Sequence, residues 1–248
     1  EHIVIEEGIT GIGRNAFAGF VKVLSVNIPY TVKKIKRSSF ENNYRLREIQ
    51  IPNEVISIGD KAFAGCYGLK NLSLPSKLNY VGSFEFCRNI KSISLPDSIK
   101  DTADGMFTGC EMLTSVKLPR KLKSIKSYDF ADCRKLTKLN IPVTVKVVYM
   151  SAFAGSGLKK IVLPSNVQKI RNGNDGQKVF EYIKGIGYPT KILRVIEIHS
   201  KKVKSIQKNS FSGLSSKVVV KVPKSKKKKY TKMLRKSGLS KKVKICNL

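Results

Sequence analysis

The chain has 248 residues, of which 48 are Lys or Arg and 17 are Asp or Glu, so its formal net charge is +31. Hydrophobic residues make up 41% of the sequence, which is enough for a sizeable core and excludes a wholly disordered chain. No apolar run approaches the roughly 20 residues that span a bilayer, so we expect no transmembrane segment. The sequence starts at Glu1 without a signal-peptide pattern, and we expect a mature or trimmed fragment.

A repeat of about 23 residues organises the sequence from its first residues to Pro223. Each Phe of the repeat, from Phe17 to Phe130, lies 12 residues before the next Pro. Apolar residues three and one before Pro alternate with polar residues, which is the period of a short strand. One repeat cannot bury its own apolar side, so stacked coils are expected to share a continuous core. The recurring residues are Phe17, Phe40, Phe63, Phe84, Phe107, Phe130 and Phe153, with Pro29, Pro52, Pro75, Pro96, Pro119, Pro142 and Pro164.

Two further positions recur after the Phe of each coil, and each forms a column of equivalent residues through successive coils. Two residues after it stands Gly, Asn or Asp, which predicts a left-handed turn; Phe86 breaks this column and indicates a local distortion. Three residues after it, successive coils carry Cys66, Cys87, Cys110 and Cys133. We expect these thiols to be buried and reduced, because Cys packs as a small hydrophobe and parallel Cβ vectors disfavour a disulfide. Without a CxxC pair or a nearby His, we expect no metal and no cofactor.

The regular spacing is lost after Pro164, where the next Phe of the pattern, Phe180, arrives five residues late. We interpret residues 165–199 as one expanded repeat with insertions around residues 171–178 and 184–190. Loops that depart from a regular scaffold often carry function, so the insertions are a second candidate for binding. Their turn-rich tip lacks most carboxylates of a calcium loop, and we assign no metal to it.

The tail, residues 224–248, departs from the repeat. Ser225 is the expected N-cap and Gly238 the expected stop of a short amphipathic helix, and an extended segment follows at residues 243–245. Such a cap would cover the last coil, because an open solenoid end exposes apolar core and an unpaired strand edge. We therefore predict a solenoid over residues 1–223 and a basic C-terminal cap over 224–248. The apolar face of the helix comprises Tyr230, Met233 and Leu234.

The combined pattern L-x-x-L-x-L-P-x-x-L-x-x-I-x-x-x-A-F-x-G-C resembles that of BspA-type (Treponema-type) bacterial surface leucine-rich repeats. Residues 69–78 and 55–66 carry the resemblance, which covers about residues 1–223. With the repeat, it predicts a β-rich leucine-rich-repeat solenoid, a curved stack of about nine coils with parallel short strands and a C-terminal helix-containing cap. The resemblance also implies an extracellular or cell-surface location and adhesion to a host or bacterial macromolecule. Adhesins of this type bind extracellular-matrix proteins.

Residues with catalytic potential are sparse. His2 and His199 are the only histidines, and neither lies beside Ser or Cys in a known catalytic signature. Asp97, Asp101 and Asp104 cluster in one repeat, where turn chemistry and solvation account for them. We expect a non-enzymatic protein.

One face of the predicted sheet is the candidate ligand-binding face. Residues two and four before each Pro point away from the core. They are small and polar at first and become basic toward the C-terminus, so they leave room for a partner and could meet acidic groups. Plain solvation is the alternative. The candidate residues are Ser25, Asn27, Glu48, Gln50, Asn71, Ser73, Ser92, Ser94, Ser115, Lys117, Lys138, Asn140 and Lys160.

The C-terminal end is strongly basic: Glu197 is the last acidic residue, and residues 198–248 carry 17 positive charges. Three interpretations stay open, namely a solubilising surface, attachment to anionic polymers such as teichoic acid or sulfated glycans, and nucleic-acid binding. The four consecutive lysines at residues 226–229 have no aromatic residues between them, so we expect no specific binding of a nucleic acid. We expect a monomer that binds a protein or glycan. The candidate anionic-polymer contacts are Lys226, Lys227, Lys228, Lys229, Lys232, Arg235 and Lys236.

Overall fold

The structure is a computed structural model that describes residues 1–99, 101–173 and 192–248, with only the backbone of residue 101. The described residues form a β-solenoid of about ten turns with parallel strands and one helix near the C-terminus. The chain comprises two compact units, Glu1–Lys121 and Leu122–Leu248. The predicted leucine-rich-repeat solenoid is confirmed.

The first unit consists of short strands that pair between successive coils. In chain order the strands are β1 (His2–Val4), β2 (Gly11–Ile12), β3 (Ser25–Asn27), β4 (Lys34–Ile35), β5 (Glu48–Gln50), β6 (Ser57–Ile58), β7 (Tyr80–Val81), β8 (Ser92–Ser94), β9 (Asp101–Thr102) and β10 (Ser115–Lys117). They form parallel sheets with the orders β1-β3-β5, β8-β10 and β2-β4-β6-β7-β9. Val26 pairs with Ile3 on one side and Ile49 on the other, so equivalent positions of the repeat stack directly.

The second unit has the same construction and adds the C-terminal helix. Its elements are β11 (Ser124–Ile125), β12 (Val147–Tyr149), a 3₁₀ turn (Met150–Phe153), β13 (Lys160–Leu163), β14 (Lys169–Arg171), β15 (Val195–Ile198), β16 (Ser205–Ile206), β17 (Val219–Val222), a 3₁₀ turn (Lys224–Lys226), α1 (Lys227–Lys236) and β18 (Lys244–Asn247). The strands form two parallel sheets with the orders β11-β12-β14-β16 and β13-β15-β17-β18.

Each unit contains a second sheet that the alternation before Pro does not predict. Its strands lie five and six residues after Pro, as in Lys34–Ile35 and Ser57–Ile58. Ile35 and Ile58 are 1% exposed and extend the core. A strand of two residues is too short to display a period of two, so sequence periodicity could not reveal it.

Two coils lack the strand that the repeat predicts. In the described part of the chain, no strand forms at residues 71–73 or 138–140. Leu72 is nevertheless 7% exposed, so side chains still alternate although the ladder is lost. The following coil is two residues shorter, and its Lys91 N approaches Lys70 O only to 3.5 Å. This one weak contact does not hold residues 71–73 in a ladder.

Phe side chains form stacked columns in the core of each unit. In the first unit, consecutive rings from Phe17 to Phe107 are nearly parallel, with centroids 5.4–6.2 Å apart. In the second, Phe130 and Phe153 are stacked at 6.4 Å. Phe84 is 1% exposed and belongs to the column, as the spacing predicts.

The Cys column is confirmed as buried, reduced thiols. All four of its members are 0% exposed, and none of them forms a disulfide. The Sγ atoms of Cys66 and Cys87 donate to Phe40 O and Phe63 O of the preceding coil, at 3.1 Å each. Burial raises the pKa of Cys66 to about 12, which keeps the thiol protonated as a donor.

The left-handed turn two residues after Phe is also confirmed, and it includes Phe86, whose φ is 58°. The left-handed turn therefore persists at Phe86, although a bulky side chain stands where the other coils have Gly, Asn or Asp. A second left-handed column lies two residues before Phe, at Ser38, Lys61 and Tyr128. Its residue types vary, so the sequence carries no signal for it.

The C-terminal end contains the expected helix and strand, but Ser225 is not the N-cap. Lys226 N donates to Pro223 O, which forms a 3₁₀ turn, and α1 then begins at Lys227 without a side-chain cap. The helix ends at Lys236, and Gly238 follows with φ 92°, as expected of a stop residue. A boundary between residues 223 and 224 stays a prediction.

The apolar face of α1 packs against the preceding coils. Tyr230 and Leu234 are 0% exposed. Tyr230 Oη donates to Ser200 O and accepts from Val203 N, at 3.0 Å each. Phe180, the insertion at residues 184–190 and most of the insertion at 171–178 lie outside the described residues.

Candidate functional site

Strand pleating positions the candidate face. In β3, Val26 points inward at 4% exposure, so Ser25 and Asn27 point outward; β5 repeats this arrangement around Ile49. The structure places every candidate residue of this face at the surface, with Ser25 half-buried and the others exposed. His2 Nδ1 lies 2.6 Å from Ser25 Oγ across the β1-β3 ladder. The residues are therefore available to solvent, as the pattern predicts.

A groove of about 840 Å³ crosses this face in the first unit. Residues of β3 and β5 line it, together with Lys70, Asn71 and Ser73, where the regular ladder is lost. Six of the predicted residues thus line one depression instead of a flat ladder. Arg47 and Lys70 join them, although the predicted set omits both; each lies five residues before Pro. The polar lining comprises Ser25, Asn27, Arg47, Glu48, Gln50, Asn53, Lys70, Asn71 and Ser73.

The groove combines amides, hydroxyls and charges of both signs above an apolar base. The base consists of Val26, Ile49, Ile51 and Pro52, and the first three of these are only 4–9% exposed. They therefore offer little further surface to bury, whereas the amides and hydroxyls of the lining can both donate and accept hydrogen bonds. This chemistry suits a polar or charged macromolecule.

Further along the first unit, the face is rich in hydroxyls. Ser92 pairs with Ser115, and Ser94 with Lys117, across the β8-β10 ladder. All four side chains are exposed. In the second unit, Lys138 and Asn140 are exposed but lie outside regular strands.

Lys160 belongs to an ion-pair cluster that the predicted site omits. Glu197, on β15, accepts hydrogen bonds at 2.9 Å from Lys160 Nζ on β13 and at 3.3 Å from Lys221 Nζ on β17. Its Oε2 also lies 3.0 Å from His199 Nε2. Desolvation alone would raise the pKa of the Glu197 carboxyl, but these hydrogen bonds lower it to about 2.

The sequence held a signal for this cluster. Glu197 lies between Ile196 and Ile198, so strand alternation places its carboxylate on the outward face among lysines. Its side chain is only 9% exposed because its cationic neighbours cover it. One of the basic residues of the candidate face is therefore already paired with an internal carboxylate.

At the C-terminal end, the structure separates the candidate polymer contacts into two groups. Lys227, Lys228, Lys229, Lys232 and Lys236 are exposed, and Lys226 is half-buried. Arg235 instead donates from Nη1 to Leu239 O and Ser240 O and from Nη2 to Val243 O, so it fastens the segment after α1. The first turn of α1 contains no acidic residue.

Asp97, which the sequence also singles out, has a partner in the next coil. Asp97 accepts from Arg120 N at 2.7 Å and from Arg120 Nε at 2.6 Å, and these hydrogen bonds lower the pKa of its carboxyl. Within residues 1–99, 101–173 and 192–248, no group of three or more His, Cys, Asp or Glu could hold a metal ion. No helix in the same ranges has the length and apolar character to cross a membrane.

Solved structures similar to this chain are bacterial leucine-rich repeat proteins. One from Bacteroides ovatus aligns with a TM-score of 0.65 at 27% identity, over 99% of this chain and 70% of that one. The T. pallidum leucine-rich repeat protein aligns at 0.59 and 29% identity, over 62% of this chain and 75% of that one. A leucine-rich cell surface protein from Faecalibacterium prausnitzii aligns at 0.52 and 20% identity, over 99% of this chain and 65% of that one, and shows the fold alone.

A comparison with curated proteins found no match. The family model described as "BspA type Leucine rich repeat region" matches residues 1–87 and 82–186, in six copies. These matches cover well over half of the chain and include the groove, the Phe column and the Cys column. The chain therefore belongs to the BspA-type leucine-rich repeat family.

Proposed function

We propose that this protein is a non-enzymatic interaction module of the bacterial surface or its surroundings, which binds a macromolecule through the sheet face of its solenoid. The observation that carries the proposal is the groove that β3, β5 and residues 70–73 line. Membership of the BspA-type family supports a surface role. Host and bacterial proteins, including those of the extracellular matrix, and glycans are the ligand classes that we propose.

The groove supports binding because it gathers six outward-facing residues of the candidate face around one depression. The β8-β10 ladder offers exposed hydroxyls but does not line this depression. The groove adds the cations Arg47 and Lys70 to the amides and hydroxyls of its lining. A depression with many groups that donate and accept hydrogen bonds suits the recognition of a polar partner.

The lysines of the face test whether the ligand is acidic. We would replace Lys117, Lys138 and Lys160 with Gln and measure affinity for purified extracellular-matrix proteins by surface plasmon resonance. An acidic ligand of this face should bind about tenfold more weakly, and an unchanged affinity would remove these lysines from the site. Gln is preferable to Glu at position 160, where a second carboxylate would face Glu197.

A second candidate function is attachment to anionic polymers through the basic end. Exposed lysines on the first turn of α1, without a neighbouring acid, favour it. Binding to heparin and lipoteichoic acid would be measured over a salt series, with wild type and a variant carrying Gln at positions 226–229. Tight binding at physiological salt that the variant loses would support this function, since counterion release makes such contacts steeply salt-dependent. Equal binding by both proteins would assign the charge to solubility.

A further inference from the structure

A strip of exposed apolar side chains lies along one edge of the first unit, at the turns that precede the strands of the sheet face. Five of its members are 37–48% exposed, and Tyr67 is half-buried. None of them lines the groove. In the second unit, the positions four residues after Phe130 and Phe153 hold Arg134 and Gly157, so this strip belongs to the first unit. The strip, called the aromatic edge below, comprises Phe20, Val21, Tyr44, Tyr67, Phe86 and Met112.

Its centre is a preorganised stack that runs through four coils. The rings of Tyr44 and Tyr67 are stacked with centroids 4.8 Å apart and 22° between their planes. The guanidinium carbon of Arg88 lies 4.7 Å from the Tyr67 centroid, and Arg88 Nε lies 3.7 Å from Glu111 Oε1. Side chains held in this way lose little conformational freedom on binding, and Tyr and Arg are enriched among residues that dominate binding energy.

Phe86 provides an independent observation. It has a φ of 58°, where the other coils have Gly, Asn or Asp, and a bulky residue in that region is a backbone outlier. Gly109 of the next coil makes room for the ring, because a Cβ there would lie 2.5 Å from Phe86 Cδ1. An aromatic ring is thus retained on the surface at a position that disfavours it, which points to a function for the exposed ring.

The geometry discriminates among partners. A sugar that stacked on Tyr67 would have to displace Tyr44 or Arg88, because both already pack against that ring. A second copy of a chain with a net charge of +31 would be repelled. Lys22 and Arg45, which follow Val21 and Tyr44 in the sequence, are exposed cations that favour carboxylates on a partner. We propose that the aromatic edge is a docking surface for an acidic polypeptide that carries aromatic side chains.

The test uses two defined probes on the full chain, a random copolymer of Glu and Tyr and poly-Glu of matched length. The basic C-terminal end attracts both polymers through charge, so their affinity ratio isolates the aromatic contribution. We expect the copolymer to bind about tenfold more tightly than poly-Glu. The double substitution Tyr44→Ser with Tyr67→Ser should bring the ratio to about one and leave poly-Glu binding unchanged.

Two further variants serve as controls for the loss of the tyrosine rings. Tyr30→Ser removes a tyrosine that is 66% exposed and lies outside the aromatic edge, so it should leave the ratio unchanged. Arg88→Gln keeps both tyrosine rings and should lower copolymer affinity about threefold to tenfold, which tests the stack even if the double variant unfolds.

Three results would overturn the proposal. The first is equal affinity of the wild-type chain for both polymers, and the second is an equal loss of the ratio in Tyr30→Ser. The third is a different occupant of the edge, shown by chitohexaose binding or by dimerisation in analytical ultracentrifugation that Tyr44→Ser with Tyr67→Ser abolishes.

Discussion

Glu197 Oε2 accepts a hydrogen bond from Lys160 Nζ at 2.9 Å, across the adjacent strands β15 and β13 of the second unit. Lys221 and His199 complete the surroundings of this carboxylate. The cluster matters for function because Lys160 belongs to the candidate face. It matters for stability because Glu197 is the most enclosed member, at 9% side-chain exposure.

Replacing Glu197 with Gln should lower the free energy of unfolding by about 1–2 kcal/mol at pH 7, because hydrogen bonds to a charged group are lost. The folded-state pKa of about 2 lies below the usual value, so this stabilisation is present above about pH 4.5 and is lost as pH falls toward 2. Urea unfolding of both proteins between pH 7 and 2 measures it. Curves that stay apart at pH 2 would contradict the assignment.

The Phe column should dominate the stability of the first unit. Phe63→Ala removes a ring that is 0% exposed between two stacked neighbours and should cost about 3–5 kcal/mol. Phe86→Ala, which removes a 37% exposed ring, should change stability by less than about 1 kcal/mol. Denaturant unfolding of the two variants gives the comparison, and similar losses would show that the column is not the core.

Substitutions at two glycines distinguish the stability cost of a left-handed backbone from the cost of close packing between coils. Gly19 has φ 75° and open space where a Cβ would lie, so Gly19→Ala should cost about 1 kcal/mol. A Cβ on Gly82 would lie 2.3 Å from Gly59 O of the preceding coil. Gly82→Ala should therefore cost about 3 kcal/mol, since the coils must move apart. Thermal unfolding measures both, and the reverse order would refute the close stacking of these coils.

The four thiols of the Cys column should not react with alkylating reagents in the native state. Burial raises the pKa values of the Cys66 and Cys87 thiols, and neither is exposed. Iodoacetamide at pH 8 should label Cys246, which is half-buried on β18, and leave the column untouched until denaturant is added. Mass spectrometry of digested protein locates the label. Rapid native labelling at Cys66 or Cys87 would mean that the coils open readily.

Much of this architecture is predictable from sequence because the same apolar and turn positions recur in coil after coil. Phe84 could be chosen over Phe86 by spacing alone, and its burial confirms the choice. The two-residue strands such as Lys34–Ile35 could not be predicted, because they are shorter than one detectable period. Ser225 was the wrong N-cap because Pro223 starts a 3₁₀ turn before the helix.

The candidate site was only partly predictable for a related reason. Alternation shows which side chains face outward, so Asn27 and Gln50 could be assigned to the face. It does not show where a ladder is interrupted, and the groove includes such an interruption at residues 71–73. Alternation likewise places Glu197 on the outward face, but its pairing with Lys160, 37 positions away, depends on the register of an irregular repeat that sequence offsets do not fix.

The most direct test of the interaction role compares one substitution at two sites. Asn71→Arg places a long charged side chain in the groove, whereas Asn79→Arg places it at an exposed position outside the groove lining. Binding of wild type and both variants to a panel of purified extracellular-matrix proteins would be measured at physiological salt. We predict that at least one protein binds, that Asn71→Arg weakens its affinity about tenfold or more, and that Asn79→Arg does not. Equal binding by all three chains would contradict a binding role for the groove.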